Sequence, residues 1–91
     1  MTVNPDGIAP NLGCVQVGDG QRLRIVNNTS GFGYQGETIR LTVPGLPAVT
    51  VPRHAAWTSP EPISSRLAVG RHLGTCSCGS DGPWSFIVWV V

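Results

Sequence analysis

In a chain of 91 residues, the side chains best suited to chemistry cluster in "RHLGTCSCGS", Arg71–Ser80. If this stretch is a strand, its side chains alternate, and His72, Cys76 and Cys78 share one face with Gly74. Three soft ligands on one face are the raw material of a zinc or copper site. The spacing argues otherwise. C-x-C is not the C-x₂₋₄-C of structural zinc sites, there is no second cluster, and only Cys14 and His54 remain as distant ligands. The preferred reading is therefore small, reduced cysteines on a partly buried strand, with no metal bound. A disulfide from Cys14 to Cys76 or Cys78 is the third option; the odd count would leave one thiol over, and the expected cytosolic origin argues against it.

Other chemistry finds less support. Gly31-Phe32-Gly33-Tyr34-Gln35-Gly36 spells G-x-G-x-x-G, but a dinucleotide site needs a helix after it, and "ETIRLTV" reads as a strand. The five carboxylates are scattered singly, with no nucleophile elbow and no Cys-His pair oriented by an acid. No catalytic residue and no cofactor is expected, and the chain is read as a non-enzyme. Asn27-Asn28-Thr29-Ser30 holds two overlapping N-x-[ST] sequons, read here as a turn that ends a strand.

Elements that would position these residues follow from period-two alternation. Leu23 and Ile25 share a face in "QRLRIVN", and Ile39, Leu41 and Val43 alternate with Thr38, Arg40 and Thr42 in "ETIRLTV". "PGLP" then turns the chain into "AVTV", which makes a hairpin. Further strands are expected at Cys14–Val17, Ser65–Val69, Leu73–Cys78 and in the closing "WSFIVWVV". That last strand has two apolar rows, Trp84, Phe86, Val88 and Val90 against Ile87, Trp89 and Val91. Twelve glycines and eight prolines rule out long helices. About seven short strands separated by turns predict an all-β fold, a small two-sheet Greek-key sandwich over residues 14–91. Residues 1–13 are expected to form an irregular first strand or, as preferred here, an extended N-terminal arm, and Arg53–Ile63 a loop crossing between sheets.

"VGDGQRLRIVNNTS" (Val17–Ser30), "LAVGRHLGTCSC" (Leu67–Cys78) and "GPWSFIVWVV" (Gly82–Val91) resemble cupredoxin-like domains over about half the chain. The resemblance implies a β-sandwich. It does not carry over the copper ligands, because no His follows Cys78 and the one Met is Met1.

Composition bounds the partners. Charged residues are 12% of the chain and the net charge is +1, which gives no general attraction to nucleic acid or acidic membranes. All six basic residues are Arg, a sign of a GC-rich genome or of planar, bidentate contacts. No apolar run reaches the ~20 residues of a membrane helix, and the start carries no signal-peptide pattern. Low charge, an apolar last strand and three tryptophans point to a surface covered by a protein partner or a second copy. The candidate contacts are Val3, Ile8, Phe32, Tyr34, Trp57, Trp84 and Trp89. A small accessory protein of a larger assembly is expected, a capsid decoration, cement or tail protein, located in the virion or the cytoplasm. The alternatives are a cupredoxin-like metal or redox module, or an inhibitor using the Gly31–Gly36 or Arg53–Pro62 loop as a plug.

Overall fold

A computed structural model describes residues 1–4, 7–9, 13–31, 34–35, 38–77 and 83–91. The strands are β1 (Thr2–Asn4), β2 (Gly7–Ala9), β3 (Cys14–Val17), β4 (Arg24–Asn27), β5 (Ser30–Gly31), β6 (Tyr34–Gln35), β7 (Ile39–Thr42), β8 (Val49–Val51), β9 (Ala56–Thr58), β10 (Gly70–Ser77) and β11 (Pro83–Val90). A four-stranded sheet runs β2-β1-β4-β9, a five-stranded sheet runs β3-β11-β10-β7-β8, and β5-β6 is a short separate ribbon. Both large sheets are mixed: β1 is parallel to β4 and β3 to β11, and the remaining pairs are antiparallel. The chain crosses between the two large sheets after β2, β3, β8 and β9, and passes from β4 to β7 by way of the β5-β6 ribbon. Ile63–Ser65 form a 3-10 turn, and among the described residues no helix is long and apolar enough to cross a membrane.

Most of the core comes from the alternating strands the patterns predicted, joined by Val3 and Ile63 from the segments read as arm and loop. Leu23, Ile25, Ile39, Leu41, Val51, Phe86, Val88 and Val90 are all buried, while Thr38, Arg40 and Thr42 point to solvent. The β7–β8 hairpin turns at Pro44-Gly45-Leu46, where Leu46 N–H donates to Val43 O at 3.0 Å. Gly45 holds φ +94° there, a backbone shape most side chains avoid. Asn27, at the end of β4, fastens the two sheets together. Its Nδ2 donates to Val51 O at 3.0 Å, and its Oδ1 accepts from Thr29 N–H at 3.2 Å and from Thr29 Oγ1 at 2.8 Å. Asn27 is 1% exposed, so the first sequon ends a strand, as read. Because Asn27→Ala strips the Val51 carbonyl of this donor in the interior, it should destabilise the domain by about 2 kcal/mol. Urea melts of the two proteins measure this directly.

Three expectations are corrected. Within residues 1–13, Thr2–Asn4 and Gly7–Ala9 are strands of a sheet and not parts of an extended arm. Val26 N–H donates to Met1 O and Asn28 N–H to Val3 O, both at 2.8 Å, and Val3 is completely buried. The Arg53–Ile63 loop contains β9, which pairs with β4 through Trp57 opposite Ile25. The Ser65–Val69 strand is absent. Ser65 Oγ donates to Pro62 O at 2.6 Å and Leu67 N–H to Ile63 O at 2.9 Å, so local hydrogen bonds curl the segment despite its alternation. Nine strands in the two sheets replace the expected seven for these reasons. The strand after the Gly31–Gly36 match is β7, which removes the helix a dinucleotide site requires.

Candidate functional site

The cysteine strand β10 has the predicted parity, and the structure puts its ligand face indoors. Cys76 sits between Trp84 of β11 and Leu41 of β7, is fully buried, and is disulfide-bonded. That corrects the expectation of a reduced thiol, and an oxidised sulfur cannot offer a thiolate to a metal. His72 lies opposite Val88, half-buried, with Nε2 2.7 Å from Ala68 O. Cys78 lies outside the described residues. Cys14 is a free thiol, opposite Ile87 in the register of β3 on β11. The Cys14–Cys76 pairing is therefore excluded, because the two side chains lie on opposite faces of the sheet with β11 between their strands. His54 occupies the turn before β9 at φ +63°. Among the described residues no three His, Cys, Asp or Glu side chains gather around a common point.

Burial parity settles the two rows of β11. Phe86, Val88 and Val90 are buried, so Ile87, Trp89 and Val91 belong to the outer face. Strand β11 is interior, paired to β3 on one side and β10 on the other, and so presents no free edge for aggregation. Its outer row is nonetheless apolar and continues sideways. Cys14, Ile87 and Leu73 stand in one row across β3, β11 and β10, and Gln16, Trp89 and Arg71 in the next. The Arg71 guanidinium lies 4.7 Å from the Trp89 ring centroid, a cation–π contact. Leu73 is 61% exposed, Val91 46%, and Val69, just before β10, 79%. These are the exposed large hydrophobics of the described residues, and all belong to or flank this face. Among the described residues nothing comparable covers the four-stranded sheet, whose outer face carries Thr2, Asn4, Ala9, Arg24, Ala56 and Thr58 beside one half-buried valine, Val26.

The predicted contact residues divide accordingly. Trp89 stands on the exposed face. Val3 is core, which corrects its assignment as a contact, because the parallel pairing of β1 on β4 aims it inward. Ile8, Trp57 and Trp84 are half-buried and pack against the core. Phe32 and the side chain of Tyr34 lie outside the described residues. Leu73 and Ile87 were missed as surface residues. The signal for Ile87 was present, since a strand with two apolar rows can bury only one of them against the opposite sheet.

A second feature is an apolar cleft of about 220 Å³ where β8 and β9 diverge, walled by Leu46, Pro47, Val49, Trp57, Pro60 and Ile63. At its rim Glu61 and Arg66 form an ion pair, Nε to Oε2 at 2.9 Å. The Arg66 hydrogen bond and charge hold the Glu61 carboxyl below the usual range, with Ser65 adding a smaller contribution. The folded state therefore favours the ionised carboxylate. The resulting stabilisation is present above the ordinary Glu range and fades as pH falls through the lowered folded value. NMR titration should find the Glu61 midpoint rising in Arg66→Ala, with the stabilities of the two proteins converging in acid. The exposed setting keeps the stability difference small.

No family model, no curated protein and no solved structure matches this chain. The two sheets define the fold as an all-β sandwich, and no comparison supplies a cupredoxin-like family for it.

Proposed function

We propose that this domain is a non-enzymatic interaction protein that docks on a larger assembly through the outer face of its five-stranded sheet. One observation carries the reading: Leu73, Ile87, Trp89 and Val91 share that face while the opposite face of the sandwich is small and polar. Contiguous exposed apolar area of this kind marks interaction surfaces, and an Arg–Trp pair within it has the composition of a binding hot spot. A virion accessory protein, decorating a capsid or tail, is the concrete form of the proposal, supported by the size and class of the domain.

The test is co-fractionation. In native extracts of its source the wild-type chain should migrate with a large species. Leu73→Asp combined with Ile87→Asp should migrate as a free domain while keeping the wild-type circular dichroism spectrum. A wild-type chain that runs as a free monomer in the extract and at every purified concentration overturns the proposal.

A further inference from the structure

The geometry points to the chemistry of the partner: a protein surface that sets carboxylates beside apolar side chains, not a second copy of this chain. This inference rests on the docking face proposed above. Two arginines stand on that face. Arg71 lies over Trp89 in the row beyond Leu73. Arg40 is exposed on β7 opposite Ser77. Six residues of strand separate position 71 from position 77, or about 20 Å at ~3.3 Å per residue. Between the arginines run Leu73 with Ile87, then Thr75, whose hydroxyl is 2.8 Å from that of Thr42. The face thus sets Arg71 among Leu73, Ile87, Trp89 and Val91, with Arg40 as a second cation beyond the threonines.

No carboxylate side chain of the described residues answers those charges. Asp19 accepts from Ser64 Oγ at 3.2 Å in the turn after β3, and Glu61 is occupied by Arg66. In a two-fold dimer a patch meets its own copy. Here that would bring four arginines into one interface, a juxtaposition of like charges that opposes association. An acidic partner meets the opposite situation. The Trp89 ring already holds the Arg71 guanidinium in place, so less side-chain freedom is lost when its planar edge takes a carboxylate in two parallel hydrogen bonds.

The experiment uses the whole chain as bait for a randomised 12-residue peptide library displayed on yeast. Clones are kept only if Leu73→Asp abolishes binding, and a Leu73→Lys bait guards against loss by simple repulsion of acidic clones. The expected clones combine Asp or Glu with aromatic or aliphatic residues. Their affinity should fall about tenfold or more in Arg71→Gln, fall less in Arg71→Lys, and weaken as sodium chloride is raised. Arg71→Glu should regain affinity for the same peptides with their acids changed to Arg. Face-specific clones that are neutral or basic, or indifferent to Arg71→Gln, overturn the acidic partner while leaving the docking face intact. A concentration-dependent dimer, broken by Leu73→Asp in sedimentation, overturns it in favour of a second copy. If no clone depends on Leu73 and the chain remains monomeric, the docking face fails and the inference fails with it.

Discussion

Deleting Met1–Ala9 should unfold the domain. The segment looks expendable in the sequence, where Pro5 and Gly7 interrupt it, and an arm reaching to a neighbour could be removed at little cost. The structure makes β1 an interior strand between β2 and β4. Its loss removes Val3 from the core and withdraws Met1 and Ile8, which pack against it. The backbone donors of Val26 and Asn28 lose their partners, and β4 becomes a bare edge. A domain of this size has about 5–15 kcal/mol of stability in total, and Val3→Ala alone should remove about 2 kcal/mol of it. The truncated chain should lose its cooperative thermal transition and the dispersion of its amide NMR spectrum. A truncated chain that melts cooperatively near the wild-type temperature would restore the arm. Val3→Ala is the graded control, since it should fold and melt early.

The second large effect is expected at Gly74. This glycine lies on β10 opposite Phe86 of β11, and its backbone is not in the left-handed region. Its smallness is needed for space. A Cβ placed there would stand 2.6 Å from Phe86 Cε2 and 2.8 Å from Cε1, and closer still to Cζ. The Phe86 ring lies across the glycine and is 1% exposed, so it has no solvent into which to retreat. Glycine inside a strand commonly marks such a close approach. Gly74→Ala should cost about 1–3 kcal/mol through displacement of the ring, and Gly74→Val should prevent folding. In the double variant Gly74→Ala with Phe86→Leu, the alanine should cost less than it does in the wild-type background. Equilibrium urea denaturation of the four proteins forms a double-mutant cycle. Additive losses would show that ring and glycine do not meet.

How much of the fold was legible depended on whether a residue's neighbours along the chain were enough to place it. "TIRLTV" places Ile39 and Leu41 inside and Arg40 outside with no further information, because successive side chains on a strand take opposite faces. The β7–β8 hairpin was equally local, since Pro44-Gly45 makes a turn whatever surrounds it. At Ser65–Val69 the same alternation misled, because Ser and Pro hydrogen bonds within one turn competed with strand formation and had no ladder to overcome. Strand β9 was hidden by its length: three residues between prolines carry no periodicity to read.

The candidate site divides along the same line. The sequence by itself determined that the chain is an all-β domain, that Phe86, Val88 and Val90 share a face, and that Trp84–Val90 carries one apolar row more than a single core contact needs. Only the tertiary structure decided which row faces out, that Arg71 lies over Trp89, that Cys76 is oxidised while Cys14 is free, and that the first strand completes a sheet. Alternation is a property of adjacent residues, set by the backbone at each peptide. The pairing of Thr2 with Val26, or of Cys14 with Ile87, joins residues far apart in the chain. Such pairings form because burying the shared core offsets the entropy of closing the loops between them, and a local sequence pattern does not record that balance.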